Sequence, residues 1–130
     1  MMRAALLILL GLVVGVLGTS QVMNALAARN PMPKAVMHTM GYHMGELKQA
    51  MKTQKCDAAT IQHHLLRLQS TATDILPTFG IADKGFTDDA NQLQTRLQQA
   101  TVSAPATCAA LAAALKPVGE TCQSCHQQYR

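Results

Sequence analysis

Beyond residue 30 the chain repeats one pattern four times: apolar side chains recur in steps of three and four. Met37, Met40, Met44, Leu47 and Met51 make the first set, and Ile61, Leu65, Leu68, Ala72, Ile75 and Phe79 the second. Phe86, Ala90, Leu93, Leu97 and Ala100 make the third, and Leu111, Leu115, Val118, Cys122, Cys125 and Tyr129 the fourth. This spacing lays one apolar stripe along each of four helices, and no segment shows the alternation of a half-buried strand. The connections are short: Lys52 to Asp57, Pro77 with Gly80 to Gly85, and Thr101 to Pro105. Short connections make neighbouring helices antiparallel. The expected fold is therefore all-α, an up-down-up-down antiparallel four-helix bundle. Asp57 is the expected cap of the second helix and Ser103 of the fourth, while Thr87-Asp88-Asp89 brings negative charge to the start of the third. Pro117 falls inside the fourth pattern. An interior proline costs about 3 kcal/mol, yet the stripe stays in register across it, which predicts a kinked rather than a broken helix.

The N-terminus reads differently. Met1-Met2-Arg3 is a short basic start, and Ala4 to Gly18 is unbroken apolar sequence. Thr19, Ser20, Gln21 and Asn24 then add polarity ahead of Ala25-Leu26-Ala27, an A-x-A cleavage site. This is the pattern of an export signal. The expected organisation is a signal peptide over 1–27, or an uncleaved N-terminal anchor, followed by one domain over 28–130. The apolar run is short against the roughly 20 residues of a membrane span. Either way the domain is expected outside the cytoplasm, in the periplasm.

Cys122-Gln123-Ser124-Cys125-His126 is a C-x-x-C-H motif, the signal for covalent haem attachment. Two thiols add to the two vinyl groups on one edge of a porphyrin, and the adjacent imidazole reaches the iron. On a helix these residues stand at i, i+3 and i+4 and share one face, which is the fourth apolar stripe. One haem c, bound through Cys122 and Cys125 with His126 on the iron, is thus expected inside the bundle. A thiol-disulfide motif of the thioredoxin kind would need a βαβ context, and a structural zinc site a second ligand pair.

The stretch Gly119 to Arg130 around this motif resembles the cytochrome c′ family, the four-helix-bundle class of c-type cytochromes. Ala35 to Gly45 in the first helix and Leu76-Pro77-Thr78-Phe79 at the end of the second are also similar to that family. The resemblance runs over residues 33–130. It implies a proximal His126, a basic residue beside the haem at Arg130, and a distal residue near the start of the first helix. In the gas-binding branch that residue is bulky and apolar, and the iron is five-coordinate. In the low-spin branch it is Met, and Met37 stands at the matching place. Where the family often carries Arg one turn earlier, this chain has Pro33, with Lys34 beside it.

Bundle geometry leads to the same residue. The start of the first helix and the end of the fourth lie at one end of an up-down-up-down bundle. Met40 and Met44 climb away by about 4.5 and 10.5 Å at ~1.5 Å per residue. Another Met as ligand, or no sixth protein ligand, are the alternatives, since Met commonly fills cores. Tyr129 is expected as a core aromatic beside the haem.

Cys56 and Cys108 open the second and fourth helices, which run parallel, so both lie at the end away from the haem. They form a candidate disulfide. It requires Cα atoms within about 7 Å, against which the two helices could be diagonal; two free buried thiols are the alternative. His63 and His64 flank the second stripe and are expected in solvent. His38 and His43 lack i, i+4 spacing and make a poor metal pair, and His38 is a minor candidate for the iron.

Composition narrows the function. Aromatics are 3% with no Trp, so stacking platforms for single-stranded nucleic acid lack material. The net charge of +4 is scattered over several segments, which excludes a nucleic-acid stripe. Lys48, Lys52 and Lys55 make a solvated face or a weak docking patch for an acidic partner. The expected function is one-electron transfer with other redox proteins, with His126 and Met37 filling both axial positions. It is not an enzyme on this reading, because no distal acid–base residue can be placed. The alternative is a five-coordinate cytochrome c′ that binds nitric oxide or carbon monoxide. Members of the family often dimerise through their first two helices, which makes a homodimer an open alternative; membrane contact is expected only with an uncleaved leader.

Overall fold

The computed structural model describes residues 2–27 and 30–129, with side-chain surroundings from 7 to 26 and from 30 to 129. The chain divides into two units, Met1–Pro31 and Met32–Arg130. The first is a single helix, α1 (Met2–Ala27). Its stretch Leu7–Leu26, 20 residues long, is long and apolar enough to cross a membrane. The helix does not stop where the apolar run ends at Gly18. The Thr19 hydroxyl donates to the Gly15 carbonyl, and the Ser20 hydroxyl to the Leu17 carbonyl at 2.8 Å. Both side chains thus satisfy their polarity inside the helix. Ala25-Leu26-Ala27 forms its last turn, and Ala28, on the far side of the expected cleavage point, lies outside the described residues.

The second unit holds α2 (Met32–Lys52), α3 (Ala58–Ala72), α4 (Ile75–Phe79), α5 (Lys84–Val102) and α6 (Cys108–Gln128). The packed pairs close a ring: α2 on α3, α3 on α5, α5 on α6, and α6 on α2. Short α4 rests between α2 and α5. The four stripes converge on the axis of this ring. Leu47, Leu65, Leu97, Leu111 and Val118 are fully enclosed there, with Ile61 and Phe86 nearly so. Each such side chain contributes about 1.5–3 kcal/mol by leaving water.

Several local details differ from expectation, each for a physical reason. The second stripe is carried by two helices. The break falls at Thr73-Asp74, and Pro77 explains it: in a continuous helix its ring would collide with the carbonyl four residues back, at Thr73. Restarting at Ile75 puts Pro77 in the first turn of α4, where a missing N–H costs nothing. Gly80 then ends α4 with φ 61°, a left-handed conformation that glycine adopts without strain.

Asp57 does cap α3, accepting from the Thr60 N–H and hydroxyl, each at 2.8 Å. The cap of α5 is Asp83, which accepts from the Phe86 N–H at 3.0 Å; the acidic Thr87-Asp88-Asp89 follows inside the helix, where Asp88 pairs with Lys84 at 2.5 Å. Thr107 caps α6 through the Ala110 N–H at 3.1 Å. Ser103 instead closes α5, its own N–H donating to the Gln99 carbonyl, because Pro105 keeps the intervening residues out of either helix. Helix α6 runs through Pro117, and the Thr121 hydroxyl donates to the Pro117 carbonyl at 3.0 Å.

One expectation is overturned. His64 is not in solvent: it is 8% exposed, packed between α2 and α3. Its Nδ1 lies 2.9 Å from Nδ1 of His43. The reason lies across the interface, since α2 presents a second imidazole able to satisfy the buried nitrogen.

A disulfide joins Cys56 to Cys108, with the Cα atoms 5.3 Å apart. Helices α3 and α6 sit across the ring from one another, yet the bond spans the diagonal. Cys56 belongs to the loop before α3 and Cys108 is the first residue of α6, so the loop, not the helix, makes the reach. The closed loop covers 52 residues, and by chain entropy such a bridge adds on the order of 4 kcal/mol. Cys56→Ser with Cys108→Ser should therefore lower the unfolding free energy by about that amount, read as an earlier urea midpoint with an intact far-ultraviolet spectrum.

The buried imidazoles set a pH dependence. Burial lowers the His64 pKa, and the nearby His63 lowers it further, against the opposing charge of Glu46. Burial likewise lowers His43, with His64, His63 and Arg67 adding to it and Glu46 opposing. Folded-state values below the ordinary 6.5 mean that the unfolded chain takes up more protons as pH falls. The contribution is complete above about pH 6.5 and is lost as pH drops through the folded values. Melting temperature measured from pH 7.5 to 5 should fall more steeply in the native chain than in His64→Gln.

Candidate functional site

Cys122, Cys125 and His126 lie in the last two turns of α6. By then the stripe has changed from Leu111, Leu115 and Val118 to smaller, reactive side chains. The neighbours do not close in, and a cavity of about 260 Å³ remains between the helices. Helix α2 contributes Met37, Met40 and Met44 to its wall, and α6 contributes Cys122, Cys125 and His126. Leu68, Ile75, Ala90 and Leu93 complete an apolar lining. A second cavity of about 380 Å³ opens between Phe79, Phe86 and Tyr129. Met37, Cys125 and His126 line both.

The surroundings of the two thiols are unlike those of a redox pair. Burial pushes the Cys122 pKa up, with Cys125 adding to it, and burial then Asp89 do the same for Cys125. An oxidoreductase C-x-x-C needs the opposite, a lowered thiol at a helix N-terminus; this pair stands at the C-terminal end of a 21-residue helix. Both sulfurs are free, while Cys56 and Cys108 are bonded. Among the described residues no three His, Cys, Asp or Glu side chains surround a common metal position. The donor set at this cavity is instead two thiols and one imidazole on one helical face, bordering an apolar space.

That set fits haem c. The thiols stand at i and i+3 and the imidazole at i+4, on the wall of a cavity with apolar sides and methionines opposite. Asp89 Oδ2, on the same wall, is buried without a hydrogen-bond partner from the protein.

The end of α6 is latched. The Tyr129 hydroxyl donates to Asp83 Oδ1 at the start of α5. Its ring meets Phe86 edge-on, centroids 5.2 Å apart, and Phe86 in turn packs on Phe79 at 5.6 Å. The bond to Asp83 pushes the tyrosine pKa up to about 12 and lowers that of Asp83. Gly85 makes room for the latch: a Cβ there would sit 2.8 Å from the Tyr129 oxygen. Through Tyr129 the α5 cap positions the turn that carries His126.

The sequence-derived residues distribute as follows. Met37, Cys122, Cys125 and His126 meet at the cavity. Arg130 lies outside the described residues. Lys34 is exposed on the first turn of α2. Lys48, grouped above with a solvated face, also borders the cavity, as does Asp89. Their spacing contains the reason: Lys48 follows Met44 by four residues and Asp89 follows Phe86 by three, which keeps both near a stripe. Sequence reasoning also missed Asp83, whose only signal was its place before Gly85-Phe86.

Residues 81–130 match the family model described as Cytochrome C', a segment that includes all of α5 and α6 and with them the C-x-x-C-H motif. No curated protein and no solved structure matches the chain. An all-helical fold, a thiol–thiol–imidazole face on an apolar cavity and this family match together support a c-type cytochrome, a haem protein similar to cytochrome c′.

Proposed function

We propose that the protein is an exported one-electron carrier whose haem iron is held between His126 and Met37. The observation that carries this reading is the placement of Met37. Of the three cavity methionines it alone also lines the second space, and it shares both spaces with His126 and Cys125. Met40 is drawn into the core, 7% exposed, and Met44 lies two turns further along α2 than Met37.

When bound, haem c supplies a one-electron Fe(III)/Fe(II) couple. The residues of this chain do the rest. Cys122 and Cys125 anchor the group to α6, so that it cannot dissociate in either redox state. His126 offers an imidazole from the same helix, and Met37 offers a thioether from α2. A Met/His pair favours the reduced state and raises the potential. Leu68, Leu93 and Val118 exclude water, which lowers the local dielectric. With His126 and Met37 both on the iron, no side of it would be left open to a substrate, and the reading includes no catalytic turnover. The partners are other redox proteins. Helix α1 supports export, as a cleaved signal or as an anchor, and with it a periplasmic location.

The ferric and ferrous absorption spectra of the purified holoprotein test this assignment. Low-spin bands in both states, with carbon monoxide binding weakly and slowly to the reduced form, are expected. High-spin bands with rapid, tight carbon monoxide binding would favour the gas-binding reading and remove Met37 from the iron. Met37→Ala should turn the low-spin spectrum high-spin and open the iron to added ligands, whereas Met40→Leu and Met44→Leu should leave it low-spin. An unchanged spectrum in Met37→Ala would place the sixth ligand elsewhere.

A further inference from the structure

A second set of donor side chains lies where α2 meets α3. His43 and His64, 21 residues apart in sequence, approach across the two helices with Nδ1 facing Nδ1 at 2.9 Å. Neither residue lines the cavity that carries Cys122 and His126. A third imidazole, His63, stands beside them, its centroid 5.3 Å from that of His64 and 6.4 Å from that of His43. The Tyr42 ring meets both members of the pair edge-on, at 5.0 and 6.3 Å. A pair of neutral imidazoles can share one proton at this distance, so the contact is a satisfactory hydrogen bond without any ion.

The same separation has a second meaning. Imidazole nitrogens bind first-row metals at about 2.0–2.1 Å, which places two neighbouring ligands about 2.9 Å apart at a right angle and about 3.3 Å apart in a tetrahedron. The observed spacing is the right-angled one. A right-angled nitrogen pair suits tetragonal Cu(II) or Ni(II), both of which take imidazole, and of the two copper binds N-donor sites more tightly. We propose that His43 Nδ1 and His64 Nδ1 form a cis chelate for one Cu²⁺ ion that ties α2 to α3. Whichever ring donates in the hydrogen bond moves its proton to Nε2 on binding, so no net proton is released. Among the described residues no third His, Cys, Asp or Glu completes the set, and water fills the remaining positions. Glu46, one turn from His43, and Arg67, one turn from His64, act on His43 with opposite sign, and Glu46 also acts on His64.

The test titrates copper sulfate into the full chain with the Cys122 and Cys125 sulfurs blocked, by haem or by alkylation, and reads calorimetry and copper electron paramagnetic resonance. The native chain should take up one Cu²⁺ and show a tetragonal signal with coupling to two nitrogens. His43→Ala and His64→Ala should each weaken uptake by at least about tenfold, the lower bound seen on removing even an outer partner of a metal ligand. His38→Ala, at an exposed position outside the pair, should leave it unchanged. Because His64 is buried, the half-buried His43 decides the matter if His64→Ala fails to fold. Copper should raise the melting temperature of the native chain and not that of His43→Ala. Absence of saturable uptake, or uptake equally strong in His43→Ala, would overturn the site and leave the contact as a hydrogen bond alone.

Discussion

Everything in the bundle depends on four apolar stripes facing one axis. Each stripe is too narrow to be hidden by its own helix, so each must be covered by its neighbours, and a closed ring of α2, α3, α5 and α6 covers all four at once. Where the stripes carry Leu47, Leu65, Leu97 and Leu111 the interior is filled. Where α6 exchanges leucine for Cys122 and Cys125, and α2 offers methionines, it is not, and the cavity appears there. The site is thus a continuation of the core rather than a feature added to the surface. A group held there meets a dry wall on most sides and a reactive face on one.

Helix α6 is fixed at both ends, by different chemistry. At Cys108 the disulfide ties it to the loop before α3. Near its other end, about 32 Å further along at ~1.5 Å per residue, Tyr129 ties it to the cap of α5. The helix between them passes through Pro117, which removes one backbone bond. An element that carries two sulfurs and an imidazole on one face over an apolar space gains from such anchoring, because any sliding of α6 would shift all three along the cavity wall.

The legibility of this molecule varied with the range of the interaction involved. The helices and the shared face of Cys122, Cys125 and His126 are consequences of residue spacing, and spacing is local. The Asp57 cap was legible for the same reason. The Asp83 cap, for which the sequence reading named no residue, and Thr107 in place of Ser103 turned on loop geometry set by Pro105 and by the latch to Tyr129. His64 is the clearest case of a residue whose surroundings could not be read along the chain. It flanks its own stripe, and only the approach of His43 from α2 makes its burial tolerable.

The sequence by itself determined that the chain has an apolar N-terminal segment, four amphipathic stripes and a haem-type motif on the last of them. These follow from helical periodicity and from the reach of neighbouring side chains. The tertiary structure alone decided which helices sit side by side, that a bridge could span the diagonal between Cys56 and Cys108, that Lys48 and Asp89 border the cavity, and that two imidazoles meet between α2 and α3. Those outcomes depend on how stripes of unequal width and bulk pack around a common axis, and packing is a property of all four helices together.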